Sequence, residues 1–243
     1  MATSHFHQIP TLMRYIEMLW PKSILDVGAG IGKWGLLCRD RLEFLEGRCE
    51  RNTWQTALYG VELYEGYRNP IWDYCYDGFW AADVLDVLEE IPNVDLVLLG
   101  DVLSFLPKDR GRQLVAELAK KGRHLLISTP VRLPERSDGK HEYNPATITH
   151  LSYWGPDDFS KYEVVSEQQG NTQFILVDVK GTVPKSGVVE SAERYPMASL
   201  LRALGLKVLH KLKLPSGRFM APHTAKGQFA SAGNPHSHQE IHR

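Results

Sequence analysis

The sequence predicts an α/β fold, a mostly parallel sheet flanked by helices and closed by one antiparallel strand. Three observations carry this. Short apolar runs at 23–27, 57–62, 94–99 and 124–128 alternate with helical patterns, as expected of parallel strands covered on both faces. The first run ends in a glycine-rich turn, DVGAGIGKWG, that leads into a helix. The alternation then gives way to two runs, 162–167 and 172–179, separated by QQGN, which reads as a hairpin.

The elements follow in chain order. Ile9, Leu12, Met13, Ile16 and Leu19 stand at helical spacing, and Pro21 stops that helix. Residues 23–27 are a buried strand, and 34–44 a helix. The polar stretch 46–56 reads as a surface loop, and 57–62 as the second strand. Residues 64–79 are aromatic and irregular, interrupted by Pro70 and Gly78, with at most a short strand at 81–82. Residues 84–91 look helical and stop at Pro92. The run VDLVLL is the most continuous strand. Helix 109–121 turns Leu114, Val115 and Leu118 inward, with Gly122 as its C-cap. Residues 130–157 carry four prolines and no periodicity.

Beyond 183 the chain changes character. Met197, Leu200, Leu201, Leu204, Val208 and Leu212 fall on one helical face, with lysines mostly off it. The expected domains are therefore a catalytic-type α/β domain at 1–182, a basic amphipathic helix region at 183–214 and a disordered tail at 215–243. The helix at 197–213 has three readings: packing on the domain, contact with another chain, or contact with an anionic membrane surface.

Composition bounds the function. The chain has 243 residues, 43% apolar and 23% charged, with a formal net charge of −1. That suits a soluble globular core and gives no whole-molecule attraction to nucleic acid. Cys38, Cys49 and Cys75 lack metal or redox spacing and read as reduced thiols of a cytoplasmic protein. The N-terminal stretch lacks the basic-then-apolar pattern of a signal peptide, and no run is long enough to span a membrane. No metal-ligand constellation appears.

The glycine turn at 24–35, ILDVGAGIGKWG, holds two patterns. From Asp26 it is D-x-G-x-G-x-G; from Gly30 it is G-x-G-x-x-G. Both need glycine for positive φ and for close backbone approach to a ligand. They differ in charge. A pyrophosphate gains from the helix N-terminus but is repelled by Asp26. A cationic aminoacyl sulfonium, as in S-adenosylmethionine (SAM), is attracted by it. Glu62, at the end of the second strand, can accept from both ribose hydroxyls, a device that NAD and SAM sites share. Asp83 can accept from the adenine amine while the Val84 amide donates to the ring; alone, it could equally cap a helix. Short-chain dehydrogenase chemistry needs a Tyr with a Lys four positions on, and none of the ten tyrosines has one.

These residues, with VDLVLLGDVLSFLP, HLLISTP and the closing hairpin, resemble class I SAM-dependent methyltransferases over residues 10–180. The GKWG ending and ITHLSYWGPDDF resemble a bacterial subgroup linked to glycan or small-molecule tailoring. The resemblance implies a Rossmann-like, seven-stranded sheet of order 3-2-1-4-5-7-6 with strand 7 antiparallel. It implies SAM as cofactor. Asp26, Gly28, Ala29, Gly30 and Gly32 would lie near the methionine moiety, Glu62 and Leu63 at the ribose, and Asp83 and Val84 at the adenine. Gly100, Asp101 and Val102 would lie beneath the methyl. One departure stands out. Many relatives carry Glu-His after the fourth strand, where this chain has Ser104 and Phe105, so a histidine base from that position is absent.

A base is needed only for a neutral acceptor such as a hydroxyl. His141 and His150, in the segment above the strand ends, are the candidates, with Asp101 placed to orient an acceptor. Tyr143, Tyr153, Trp154, Tyr67, Trp72, Tyr74, Tyr76 and Phe79 could line an acceptor pocket or form a second small core. The expected activity is methyl transfer to a small-molecule or glycan-related acceptor. Two other readings keep the loop: a SAM-binding accessory protein without turnover, motivated by the missing Glu-His, and an NAD-dependent oxidoreductase.

Overall fold

Ser23–Val27 (β1) lies inside a sheet, between two parallel neighbours, because both of its faces are apolar enough to be covered. The computed structural model describes residues 4–132 and 150–181, all within one of two compact units of the chain, Met1–Ser191. His141, Tyr143 and the tail at 183–243 lie outside the described residues. Along the chain, α1 (Ile9–Leu19) precedes β1, and α2 (Lys33–Leu42) follows it. Then come β2 (Ala57–Val61), α3 (Pro70–Cys75), β3 (Gly78–Trp80), β4 (Val94–Gly100) and α4 (Lys108–Lys121). β5 (Gly122–Pro130) and the hairpin β6 (Glu163–Gln169) and β7 (Thr172–Asp178) complete the sheet.

The strand order is β3-β2-β1-β4-β5-β7-β6. All pairs are parallel except those made by β7, which runs antiparallel to both β5 and β6. This is the expected sheet. Side chains alternate strictly across it, as the two-residue period of a strand requires. Leu25, Val27, Val97, Leu99, Leu125 and Ile127 face one core, with α4. Ile24, Leu96, Leu98, Leu126, Phe174 and Leu176 face the other, with α1, α2 and α3. Two buried faces explain why the strands read as continuous apolar runs.

Three local expectations are corrected. Pro70 does not interrupt the 64–79 region but starts a helix, at N1, where its missing N–H costs nothing. The Asn69 side chain caps it by accepting from the Ile71 amide at 2.8 Å. The third strand is Gly78–Trp80, not 81–82. Residues 84–91 are consecutive turns held by i→i+3 bonds, such as Asp86 N–H to Asp83 O at 3.0 Å. Val84, Leu88 and Ile91 bury into the α4-side core from these turns, and Pro92 leaves no room to extend them into a helix.

The polar stretch 46–56 is anchored rather than loose. Arg39, only 1% exposed, donates to Cys75 O (2.8 Å), Thr56 O (2.5 Å) and the Asp77 carboxylate (2.8 Å). Fully buried Glu43 accepts from the amides of Gln55 and Thr56.

Candidate functional site

The β1–α2 turn is built on glycines because its backbone must turn left. Gly28, Gly30 and Gly32 have φ of 71°, 55° and 85°. A Cβ on Gly28 would come within 2.6 Å of the Val102 side chain, so only glycine lets the loop lie against the end of β4. The Gly30 peptide is held on both sides. Its N–H donates to Glu62 Oε2 (2.9 Å), and its carbonyl accepts from the Trp72 indole (2.8 Å).

This loop borders a cavity of about 380 Å³ at the carboxyl ends of the strands, the position where open α/β sheets bind ligands. The glycine loop and β2 end contribute Gly28, Ala29, Gly30, Glu62 and Leu63. The segment after β3 contributes Asp83 and Val84, and the β4 end contributes Gly100, Asp101 and Val102. His150 lines it as well. So the structure brings together eleven of the site residues read from sequence. Asp26 and Gly32 are not on the wall. Asp26 lies behind the loop, 1% exposed, and Gly32 caps α2. His141 lies outside the described residues.

The carboxylates differ in state and purpose. Glu62 is nearly buried, and its two oxygens accept the amides of Gly30 and Tyr64, each at 2.9 Å. Burial raises its pKa. Each oxygen keeps a lone pair, so the carboxylate can still accept from two hydroxyls. Asp83 is already engaged: Oδ1 accepts the Leu85 amide (3.0 Å) and Oδ2 the Arg110 guanidinium (2.5 Å). A ligand amine there would share Asp83 with Arg110. Asp26 Oδ2 accepts from the Tyr76 hydroxyl at 2.6 Å, while Oδ1 is buried without a partner among the described residues. Burial pushes its pKa up to about 7.

Asp101 has φ of +60°, left-handed backbone that costs about 1 kcal/mol or more and gathers at functional sites. Its carboxylate accepts from Gln8 Nε2 at 2.7 Å, and burial raises its pKa. The His150 imidazole stacks on Phe105, centroids 4.5 Å apart and planes at 21°. Its Nδ1 is 2.9 Å from Ser104 Oγ, and burial lowers its pKa. Ser104 and Phe105, which read as the loss of a histidine, in fact hold one that comes from position 150.

One wall was not legible from sequence. Ser4, His5, His7 and Gln8 line the cavity. They are tied down by Lys33 to Ser4 O, by Ser128 Oγ to Gln8 Oε1 (2.9 Å) and by a His7–Thr172 contact (3.0 Å). No periodicity marks such residues; two alternating histidines before a helix are the only hint.

Of the two readings of the aromatic residues, pocket lining or a second small core, the second holds for most of those described. Tyr67 reaches the cavity. Trp72, Tyr76 and Phe79 instead pack in the core beside α2, with Trp72 stacked on Phe79 at 4.0 Å. Trp154 packs in the core beside α4, and Tyr153 is exposed. These rings are mainly a second core under long connections.

No protein-family model and no curated protein matches the sequence. Several solved structures are remotely similar to it. An O-methyltransferase family protein from Burkholderia thailandensis is 13% identical with a TM-score of 0.48, over 70% of this chain and 57% of that one. This chain thus spans little more than half of that protein. The N-terminal domain of EvdMO1, determined with SAH and D-fucose, is 16% identical (TM-score 0.46; 72% and 83% covered). An rRNA methylase from Escherichia coli is 16% identical (0.41; 71% and 63%). The likeness is remote, so function has to be read from this chain's own residues. Among those described, no helix is long and apolar enough to cross a membrane.

Proposed function

We propose that the chain binds SAM and transfers its methyl group to a hydroxyl of a small-molecule or glycan-related acceptor. The observation that carries the reading is the convergence of Glu62, Asp83 and the glycine loop on one wall of a cavity whose other side presents His150. The residues fit the group. Glu62, oriented by two amides, keeps lone pairs for a ribose diol. The unpartnered Asp26 Oδ1 behind the loop adds negative potential where an ammonium or sulfonium would lie and a pyrophosphate would be repelled. Bound there, SAM supplies a methyl already activated for in-line displacement.

The protein's own work is then positioning and one proton transfer. Asp101, Gly100 and Val102 form the floor at the β4 end. His150, held neutral by burial near neutral pH, takes the proton of the acceptor hydroxyl as its oxygen attacks. The cations on the wall are already engaged, Lys33 by Ser4 O and Arg110 by Asp83.

Calorimetry with S-adenosylhomocysteine (SAH) and with NADH tests the cofactor: SAH should bind and NADH should not. Radiolabelled SAM offered with a panel of phenols and glycosides tests turnover. His150→Ala should lower transfer without weakening SAH binding. Binding without transfer to any acceptor would favour the accessory reading, and NADH binding alone would overturn both.

A further inference from the structure

Lys33, which follows the last loop glycine, carries a charge that the ribose and adenine contacts do not use. It lines the cavity together with Gly28, Trp34 and Gly100, and Asp101 lines it from just past β4. Burial lowers the Lys33 pKa, while the nearby charges of Asp101 and Asp26 oppose that shift. Lys33 and Asp101 are thus within electrostatic reach, yet each is bonded to the N-terminal segment. Lys33 Nζ donates to Ser4 O, and Gln8 Nε2 donates to Asp101 Oδ2 at 2.7 Å. Fully buried Ser128 donates through Oγ to Gln8 Oε1 at 2.9 Å, so the Gln8 amide turns its NH₂ side to the carboxylate. Trp34, beside Lys33 in the chain, packs against Gly100, beside Asp101. A Cβ on Gly100 would come within 2.7 Å of the indole nitrogen and 3.1 Å of Ser4 Oγ. The bare backbone at Gly100 therefore lets these four residues meet at one end of the cavity.

A lysine ammonium has more donors than Ser4 O uses, and an ionised carboxylate has more lone pairs than Gln8 uses. Both side chains therefore keep hydrogen-bonding capacity, one as cation and one as anion. That end of the cavity suits a ligand group bearing the opposite pair, a carboxylate and an ammonium on one carbon. We infer that Lys33 and Asp101 are a specificity-determining pair that receives an α-amino acid zwitterion, Lys33 taking the carboxylate and Asp101 the ammonium. SAM ends in such a group, so the inference rests on the reading of the cavity as a SAM site. It goes beyond that reading in naming what holds the aminoacyl end, and it gives Asp101 a task at the cofactor. The N-terminal segment then acts through these two side chains, since Ser4 and Gln8 brace them.

Calorimetry on the full chain tests it without any acceptor, using SAH, 5′-methylthioadenosine, and SAH analogues that lack either the α-carboxylate or the α-amine. Each truncation should weaken binding to wild type about 10- to 100-fold, the range of a lost hydrogen bond to a charged group. Lys33→Met should weaken SAH by a similar factor, yet bind the analogue without a carboxylate within about twofold of wild type. Asp101→Asn, which suits the left-handed backbone at that position, should show the same pattern with the analogue without an amine. A general structural defect would instead weaken whole and truncated ligands alike. If either variant does not fold, Lys33→Gln and Asp101→Ser should give the same two patterns. The inference is overturned if each variant loses as much against its own truncated analogue as against SAH, or if the two patterns are exchanged. Methylthioadenosine binding wild type as tightly as SAH would overturn it while leaving the nucleoside site standing. No binding of SAH or methylthioadenosine would remove the SAM reading, and this inference with it.

Discussion

The Tyr76 hydroxyl donates to Asp26 Oδ2 at 2.6 Å, beneath the glycine loop and across the face of the sheet that packs against α2. This pair sets the charge under the loop. Burial raises the Asp26 pKa from 3.8 to about 7, and the Tyr76 bond opposes that rise without cancelling it. A raised acid binds its proton more tightly in the folded state. Its contribution to stability is therefore full below about pH 3.8 and is lost as pH rises through about 7. Thermal melts of wild type and Asp26→Asn between about pH 5 and 8 should show the wild type losing ground to the variant as pH rises. A difference that does not vary with pH would show that Asp26 titrates normally.

Ligand binding should feel the same group. A cation placed over the loop favours ionised Asp26, so SAM binding near pH 6–7 should release protons. Calorimetry in buffers of different ionisation enthalpy would detect this, and Asp26→Asn should abolish it. No buffer dependence in wild type would place the cation away from Asp26.

Glu62 tests the ribose site. Glu62→Ala removes an ionised acceptor, and hydrogen bonds to charged groups contribute about 1.5–3 kcal/mol. SAH affinity should fall about 10- to 100-fold, read by calorimetry, while the melting temperature confirms that the variant folds. Affinity within a factor of two of wild type would mean that Glu62 only supports the loop.

Gly35 lies inside α2, where alanine normally stabilises. Here an added Cβ would sit 2.5 Å from the Tyr76 ring. Gly35→Ala should therefore cost about 1–3 kcal/mol, as overpacking does, in denaturant unfolding. A stabilised variant would show that Tyr76 can move aside cheaply. The second glycine pattern, which ends at Gly35, thus serves packing between α2 and Tyr76.

Arg39 tests the anchoring of the 46–56 stretch. Arg39→Met removes a buried cation that holds two carbonyls and Asp77. The fully buried Glu43 carboxylate also lies 3.7 Å from the Arg39 guanidinium, and breaking a buried pair of that kind costs about 3–5 kcal/mol. A loss below about 1 kcal/mol would mean that the methionine packs well enough to replace the network.

The strands were legible because burial on both faces leaves a chemical trace over five to seven consecutive residues. The loop, Glu62 and Asp83 were legible because they stand at strand ends. Pro70 misled because a breaker and a helix starter are the same residue, told apart only by the Asn69 cap. The turns at 84–91 misled because apolar residues at near-helical spacing can bury from turns as well. The wall at Ser4–Gln8 was hidden for a different reason. Its partners Asp101, Ser128 and Thr172 lie more than 90 residues away, and no local pattern encodes such a meeting. The pairing of His150 with Ser104 was hidden likewise.

That wall bears on how the protein reaches its working state. Gln8 and His7 find their partners just past β4 and on β5 and β7, so the chain must close some of its longest loops before the cavity has a second side. Such distant contacts form late and slowly. The wall proposed to hold the nucleoside, built from neighbouring β1 and β2, can be in place well before the chamber proposed to receive an acceptor, so ligand capture and acceptor recognition need not be acquired together.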